Sequence, residues 1–239
     1  MIEDIVEYSS SNNVAEFIAE PMLGEGGIIV PPPEYFKTVK RIIDRHGIIF
    51  IDDEVQTGFG RTGRMFGIEH YQVTPDIMCL AKGIASGMPL GACMAKAEIA
   101  DSYEPGDHLS TFGGNPVSCA AGVASLDVML AQDLPKQSQT KGEHLLKRIR
   151  ELQSTESIIG EVRGKGLMIG VELVEEHKNK TPAEGKASKI KELLRMKGVL
   201  VGVGGVKGNV VRIQPPLVIT DQQLDILIDY LAESMREAR

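Results

Sequence analysis

Three short apolar segments, each followed directly by a charged residue, constrain the fold of this chain more than any other feature. They are residues 14–19 before Glu20, residues 48–51 before Asp52 and Asp53, and residues 77–81 before Lys82. Segments that are apolar throughout are typical of parallel strands with helices on both faces. A helical pattern runs from Glu34 to His46 and Gly47, with apolar residues at helical spacing. The sequence therefore predicts an α/β fold with a mostly parallel sheet and flanking helices.

The pattern changes in the second half of the chain. Residues 116–153 are mostly helical in pattern, with a break near Pro135. Glycine-punctuated strands follow at residues 166–174, 199–203 and 210–213. Capping boxes mark two helix starts, at Thr181-Pro182-x-Glu184 and at Thr220-x-x-Gln223. We therefore predict a large domain over residues 1–135 and a smaller α+β domain over residues 136–239.

Composition and charge exclude several kinds of partner. The formal net charge is -7 and no run of Lys or Arg is present, so we expect no nucleic-acid partner and no anionic membrane surface. No window is apolar enough to span a bilayer, and residues 1–13 lack the apolar core of a signal peptide. The cysteines and histidines are scattered without metal-ligand spacing. We therefore predict no metal site and a reducing, cytoplasmic location.

Charged residues at the strand ends suggest a chemistry. Glu20, Asp53 and Lys82 would meet at one edge, because ligands of open α/β sheets bind outside the carboxyl ends of the strands. A lysine in a semi-buried crevice has a lowered pKa and attacks carbonyl groups, and an aspartate can hold a positive charge on a heteroaromatic nitrogen. These are the protein groups that pyridoxal phosphate requires. A lysine after a strand is also common as a solvated loop residue, and an Asp-Asp-Glu run as a helix cap, so spacing alone leaves both interpretations open.

Four longer motifs resemble the signature of the class III, or ω-type, aminotransferases. They are residues 20–27, residues 53–63, residues 75–83 with 87–92, and residues 111–116. The likeness continues from residues 163–167 to residues 212–216 and covers essentially the whole chain. It implies the C-terminal part of a fold-type-I transferase that depends on pyridoxal phosphate, in which residues 1–135 are a partial cofactor-binding domain.

The resemblance implies a role for each of five residues around the cofactor. Lys82 would form the Schiff base and later move the substrate proton, and Asp53 would pair with the protonated pyridine nitrogen. Val55 would pack on the ring face, and Gln56 would hydrogen-bond near the phenolic oxygen. Thr111 would reach a cofactor phosphate, usually that of the neighbouring subunit. Without the motifs, Val55 would be interpreted as a core residue and Thr111 as a helix cap.

Two further residues are similar to substrate-binding residues of the family. Arg212 resembles the arginine that grips a substrate carboxylate, and Glu25 resembles the glutamate that neutralises that arginine. Arg212 could equally be a surface charge on a strand. Two glycine patterns, residues 160–165 and residues 202–208, invite a phosphate-loop interpretation, but both lack parts of that motif and are interpreted as turns.

The resemblance implies an aminotransferase that moves an amino group from an amino acid or ω-amine to pyruvate, glyoxylate or 2-oxoglutarate. Relatives of alanine–glyoxylate aminotransferase 2 and of 4-aminobutyrate aminotransferase are the most similar, and a homodimer or larger assembly with shared active sites is expected. Full-length family members carry an N-terminal half that this sequence does not contain, so we expect a fragment, a truncated gene model or part of a split protein. The alternative is a catalytically inactive fragment that acts only through packing or subunit contacts.

Overall fold

The computed structural model describes residues 1–10 and 13–238 of the chain. Its backbone divides into two units. Unit 1 comprises Met1–Pro21, Pro31–Phe59 and Phe66–Gln132, and unit 2 comprises Met22–Val30, Gly60–Met65 and Asp133–Arg239. A single boundary in the sequence cannot separate the two units, because Met22–Val30 and Gly60–Met65 precede it and belong to unit 2. The assignment of residues 1–135 and 136–239 as functional domains stays a prediction.

Unit 1 is built on a four-stranded sheet. Its strands are β1 (Glu16–Ala19), β2 (Ile49–Asp53), β3 (Ile77–Leu80) and β4 (Ala92–Ala95), and its helices are α1 (Ile2–Tyr8), α2 (Tyr35–Arg45), α3 (Ala97–Ala100) and α4 (Pro116–Ala131). The sheet has the order β1-β2-β3-β4, with the first three strands parallel and β4 antiparallel to β3. The predicted α/β class with a mostly parallel sheet is confirmed, because the apolar segments found in the sequence are the parallel strands.

The core of unit 1 is aromatic and lies between α2 and the sheet. Phe36 of α2 stacks on Phe50 of β2 with ring centroids 5.8 Å apart, and it meets Tyr71 edge-on at 4.8 Å. Val39 and Ile43 follow Phe36 on the same helix face, and both are buried. Each such side chain contributes about 1.5–3 kcal/mol when it is removed from water. This packing holds the strand that ends at the charged residues.

Unit 2 is an α+β arrangement on a second sheet. Its strands are β5 (Ile159–Lys165), β6 (Met168–Leu173), β7 (Gly202–Gly204) and β8 (Val210–Ile213), and its helices are α5 (Leu134–Gln153), α6 (Glu184–Met196) and α7 (Asp221–Glu237). The sheet has the order β5-β6-β8-β7 with antiparallel neighbours throughout. Leu145, Ile190 and Leu231, one from each helix, are fully buried in one cluster with strand residues. The predicted turn at residues 160–165 is wrong, since these residues form most of β5.

The ends of the helices differ in part from the sequence expectations. Asp133 separates α4 from α5 with a left-handed backbone (φ 45), and its side chain accepts a hydrogen bond from the Lys136 N–H at 3.4 Å. The capping box at Thr220 is confirmed, since its hydroxyl accepts from the Gln223 N–H and the Gln223 side chain accepts from the Thr220 N–H. The box at Thr181 is wrong, because α6 begins at Glu184 after an Ala183 cap that has no side-chain hydrogen bond.

Among the described residues, no single helix has both the length and the hydropathy needed to cross a bilayer. The broken pair Pro116–Ala131 and Leu134–Gln153 reaches that level only when its two helices are counted together.

Candidate active site

The carboxyl edge of the unit 1 sheet brings three of the predicted residues to the ends of neighbouring parallel strands. Asp53 is the last residue of β2, Glu20 directly follows β1, and Lys82 comes two residues after β3. Asp53 pairs in register with Cys79, which lies three residues before Lys82. The convergence expected from the strand-end pattern is therefore present in the backbone.

Lys82 opens a 3-10 turn in a strained backbone conformation. The turn covers Lys82–Ala85, and Lys82 itself has a left-handed φ of 47. Residues other than glycine rarely adopt this region, and such strain is typically retained at functional positions. Ile84 and Ala85 anchor the turn because both are buried. The strain is thus maintained by packing just beyond the lysine.

Two close approaches hold this turn in place. A Cβ added at Gly83 would lie 3.3 Å from the Cβ of Phe59, so the turn lies directly against that buried ring. Helix α4 also packs against the turn, and a Cβ at Gly122 would lie 3.0 Å from Leu90 and 3.5 Å from the Ile84 carbonyl oxygen. Small residues at both positions let the neighbouring backbones approach.

The side chain of Lys82 is exposed in the described structure. The sequence predicts a semi-buried lysine. Among the described residues this prediction is wrong, because Lys82 is exposed. Within those residues, no carboxylate oxygen lies within ion-pair distance of Lys82 Nζ. The amine is accordingly accessible to a carbonyl compound and is not held in an ion pair.

Asp53 is half-buried and oriented by its own turn. Its Oδ1 accepts a hydrogen bond from the backbone N–H of Val55 at 3.0 Å. Val55 and Gln56, the next two predicted cofactor residues, are half-buried on the same turn. An aspartate fixed by a backbone N–H in this way is positioned to pair with a cation.

Asp52 and Glu54 flank Asp53 and are fully buried. Burial, and then the nearby carboxyls of Glu54 and Asp53, raise the pKa of Asp52 to about 9. Neither oxygen of Asp52 has a hydrogen-bond partner of normal geometry in the described structure. Burial also raises the pKa of Glu54, although hydrogen bonds from Thr57 and from the Ile68 N–H oppose it. Of the three adjacent acids, Asp53 is the only one whose side chain is not fully buried.

Glu54 has a structural role that was not foreseen from the sequence. Its Oε1 accepts from the backbone N–H of Ile68 at 2.8 Å, and the Thr57 hydroxyl donates to its other oxygen. These bonds fix the chain that follows β2. The motif at residues 53–63 indicated that this segment matters for function. It did not indicate whether Glu54 is a buried acid that binds the backbone or a solvent-exposed one.

Thr111 lies in an exposed segment that precedes α4 and contains no strand or helix. It does not cap α4, because the cap is Asn115, whose side-chain oxygen accepts from the Ser118 N–H at 2.9 Å. The alternative interpretation of Thr111 as a helix cap is therefore wrong. Its contact with a cofactor phosphate stays a prediction.

Glu25 and Arg212 form an ion pair within unit 2. Arg212 Nη1 lies 2.5 Å from Glu25 Oε1, and the Arg212 side chain is 12% exposed whereas that of Glu25 is 71% exposed. Arg212 Nε is buried without a hydrogen-bond partner in the described structure. Arg212 is therefore not a plain surface charge. It is a sheltered guanidinium with an unused N–H donor, and its counter-ion is an exposed carboxylate.

Glycines of β7 make room for Arg212. Gly202 pairs in register with Arg212, and a Cβ at that position would lie 3.3 Å from Arg212 Nη2. A Cβ at Gly204 would lie only 2.8 Å from Arg212 Nε. Gly202 and Gly204 therefore provide space for a guanidinium on the adjacent strand.

Arg163 holds the loop that carries Glu25, and the sequence did not reveal this role. Its Nε and Nη2 donate to the Gly27 carbonyl at 3.1 and 2.8 Å, and Nε also donates to that of Ile28 at 3.1 Å. Its Nη1 binds Glu161 and Glu172 at 2.8 and 2.6 Å. Gly27 and Ile28 both have positive φ, so this loop needs such an anchor.

Comparisons with known proteins agree with one another. The sequence model of the family described as aminotransferase class-III matches residues 1–235. A leucine/methionine racemase of Thermococcus litoralis is 43% identical over 227 residues, which are 95% of this chain and 51% of the racemase. An Arabidopsis thaliana protein named alanine–glyoxylate aminotransferase 2 homolog 2, mitochondrial, is 42% identical over 98% of this chain and 49% of its own length.

One solved structure extends the likeness to three dimensions. A PLP-bound amine transaminase from an uncultivated Pseudomonas species superposes with a TM-score of 0.93 and 38% identity, covering 100% of this chain and 55% of that protein. The chain spans about half the length of the curated relatives that it matches.

Proposed function

Because the chain belongs to the class-III aminotransferase family, we propose that it supplies the lysine-bearing part of an aminotransferase that depends on pyridoxal phosphate. The reaction would move an amino group from an amino acid or ω-amine to a 2-oxo acid such as pyruvate, glyoxylate or 2-oxoglutarate. The observation that carries the proposal is Lys82, an accessible amine on a strained turn at the same strand edge as Asp53.

The described residues fit this cofactor. Lys82 offers an amine without an ion-pair partner among the described carboxylates, and Asp53 offers a carboxylate held by the Val55 N–H. Lys82 would hold the cofactor aldehyde, and Asp53 would hold the positive charge on the ring nitrogen. Gln56 would bind near the ring's phenolic oxygen and Thr111 a phosphate oxygen. When bound, pyridoxal phosphate supplies an electron sink for the bond electrons at the amine-bearing carbon.

The chain's own groups would then handle protons and charge. The amine of Lys82 is a suitable base for the proton on the amine-bearing carbon, since it lies at the edge where substrates of α/β sheets bind. Asp53 is the acid of this run whose side chain reaches the strand edge, because Asp52 and Glu54 are buried. Val55 would pack on the ring face and exclude water from it. Arg212 would bind a substrate carboxylate, and Glu25 would pair with Arg212 when the substrate has none.

The test is chemical capture of the cofactor. Purified protein is incubated with pyridoxal phosphate and reduced with borohydride, and the labelled lysine is located by peptide mass mapping. We expect the label on Lys82, its loss in Lys82→Ala, and its retention in Lys37→Ala, an exposed-lysine control in unit 1. Equal labelling of Lys82→Ala and the parent protein would overturn the proposal. Label on Lys82 with neither amino transfer to a 2-oxo acid nor racemisation of the amino acid would favour the inactive, packing-only alternative.

A second reaction is favoured by the racemase among the relatives. A racemase removes a proton from one face of the amine-bearing carbon and adds a proton to the opposite face, so it needs no 2-oxo acid. Loss of optical activity of leucine or methionine in the absence of any acceptor would indicate racemisation. Consumption of the amino acid only when a 2-oxo acid is present would indicate transamination.

Assembly and location belong to the same proposal. A homodimer with shared active sites is supported by the exposure of Thr111, which would be free to reach the cofactor of a neighbouring subunit. A cytoplasmic location is supported by the three cysteines, none of which is in a disulfide. Sedimentation of the protein and fractionation of the source cells would test the two points separately.

A further inference from the structure

Two cysteines lie directly opposite each other beside the strand edge that carries Lys82. Cys79 of β3 and Cys93 of β4 are register partners in the antiparallel pair. Both are free thiols; Cys93 is exposed and Cys79 is half-buried. The segment between them, residues 80–92, contains the whole Lys82–Ala85 turn.

The backbone hydrogen bonds show which kind of cross-strand pair this is. The Cys79 carbonyl accepts from the Glu54 N–H at 3.0 Å, so the polar groups of Cys79 point toward β2 and not toward β4. Along the same ladder, the Lys96 N–H donates to the Asp76 carbonyl at 3.0 Å, three positions from Cys79. Hydrogen-bonded and non-hydrogen-bonded residue pairs alternate along an antiparallel ladder. Asp76 bonds toward β4 and Cys79 is an odd number of positions away, so Cys79 and Cys93 form a non-hydrogen-bonded pair. Such pairs have Cα atoms about 4.5 Å apart, within the span of roughly 4.4–6.8 Å that a disulfide bridges.

The two thiols also differ in reactivity. Burial, and then the neighbouring Cys93 and Asp53, raise the pKa of the Cys79 thiol. An exposed thiol reacts first with an oxidant, and a sheltered neighbour then resolves the adduct. The register of β3 and β4 places the two side chains on the same face of the sheet, directly opposite each other.

We propose that Cys79 and Cys93 are a dithiol site that a low-molecular-weight disulfide oxidises reversibly to a cross-strand disulfide enclosing the Lys82 turn. The Cys93 thiolate attacks the small disulfide, forms a mixed disulfide and releases one thiolate. Cys79 then loses its proton to solvent and attacks the sulfur of Cys93, releasing a second thiolate. Two protein thiols are oxidised, one small disulfide is reduced to two thiols, and excess dithiol reverses the exchange.

The experiment uses oxidised glutathione as the probe on the intact chain. Trypsin cuts after Arg64, Lys82 and Lys96, which places Cys79 in peptide 65–82, Cys93 in peptide 83–96 and Cys119 in peptide 97–136. We expect the oxidised protein to lose two free thiols, to keep no glutathione, and to yield peptides 65–82 and 83–96 joined by a disulfide. The oxidised protein should also melt several degrees higher, because the cross-link restricts the unfolded chain, and dithiothreitol should remove the shift.

Single variants separate this site from general thiol oxidation. Cys79→Ser should stop at a stable glutathione adduct on Cys93, Cys93→Ser should react several-fold more slowly, and Cys119→Ser should behave like the parent protein. A glutathione adduct retained on the parent protein would overturn the proposal. So would a disulfide that joins two chains, or one that includes peptide 97–136. None of these readouts depends on aminotransferase activity.

Discussion

The carboxyl groups of Asp52 and Glu54 lie two residues apart at the end of β2, and solvent reaches neither side chain. Between them Asp53 is only half-buried. Burial and the neighbouring carboxyls raise the pKa of Asp52 to about 9, so this acid keeps its proton at neutral pH. Burial therefore sets Asp52 apart from an ordinary aspartate, although it lies next to a half-buried one in the sequence.

Stability should depend on pH through Asp52. The ordinary pKa of this aspartate is 3.8, whereas in the folded chain it is about 9. Between these values the folded state binds one more proton than the unfolded state, so the free energy of unfolding falls as pH rises. Asp52→Asn removes this decrease in the free energy of unfolding, because asparagine does not ionise, and the asparagine amide can donate a hydrogen bond to Glu54. At pH 8 we expect the variant to exceed the parent by at least ~1 kcal/mol in urea unfolding, with little difference near pH 4.

Asp76→Asn is the matched control, with the opposite sign. Burial alone would raise the pKa of Asp76, but Lys96, the Phe50 N–H and Lys40 outweigh it and lower that pKa. Asp76 therefore contributes stability above its ordinary pKa, and this contribution is lost as pH falls. Asp76→Asn should be less stable than the parent at pH 8. Asp52→Asn and Asp76→Asn changing stability in the same direction at pH 8 would contradict the assignment.

Gly142 of α5 should not tolerate even one added carbon. A Cβ there would lie 2.0 Å from the Gly166 carbonyl oxygen and 2.2 Å from its carbon. Both atoms are backbone and cannot move without displacing the strand region, so Gly142→Ala should cost about 3 kcal/mol in urea unfolding. Gly185→Ala is the control: nothing lies within 4 Å of that position in α6, and the change should stabilise by about 0.5–1 kcal/mol. Equal effects of the two changes would contradict the close approach.

Arg163 should stabilise unit 2 far more than an ordinary surface arginine. Arg163→Met keeps the apolar stem but leaves the Gly27 and Ile28 carbonyls and the Glu172 carboxylate without their donor. We expect a loss of about 2–3 kcal/mol and faster hydrogen exchange in residues 22–30. Arg148→Met removes exposed ion pairs with Glu151 and Asp225 and should cost less than ~1 kcal/mol. Unchanged exchange of residues 22–30 in Arg163→Met would show that the loop is held by other contacts.

The sequence predicted what local patterns encode. Apolar runs that end in charged residues located three parallel strands, and the Thr220 box located the start of α7 to the residue. The burial and contacts of individual side chains could not be predicted in the same way, because they depend on tertiary contacts. The burial of Asp52 in an acidic run, and the left-handed backbone of Lys82, leave no mark on local composition.

Long-range pairs show the same limit. Glu25 and Arg212 are 187 positions apart, and only the family resemblance suggested that they meet. The anchoring of the Glu25 loop by Arg163 was missed, because an arginine in a glycine-rich strand has the same pattern whether it is exposed or bonded to carbonyls. The glycines of β7 were interpreted as turns, since their reason for being small lies on another strand.

Those glycines provide the sharpest test of the proposed substrate arginine. Gly204→Ala places a Cβ 2.8 Å from Arg212 Nε and 3.2 Å from the Glu25 carbonyl oxygen, so the guanidinium must move. Gly202→Ala is the matched control in the same strand, since its Cβ would lie 3.3 Å from the flexible end of Arg212.

In the cofactor-loaded enzyme, Gly204→Ala should raise the KM for 2-oxoglutarate roughly tenfold, as expected for a loss of about 1.4 kcal/mol in binding free energy, with kcat largely retained. Arg212→Lys should change KM in the same direction because it loses the two-pronged contact with a carboxylate. A larger effect of Gly202→Ala than of Gly204→Ala, or unchanged KM in Arg212→Lys, would remove Arg212 from the substrate site.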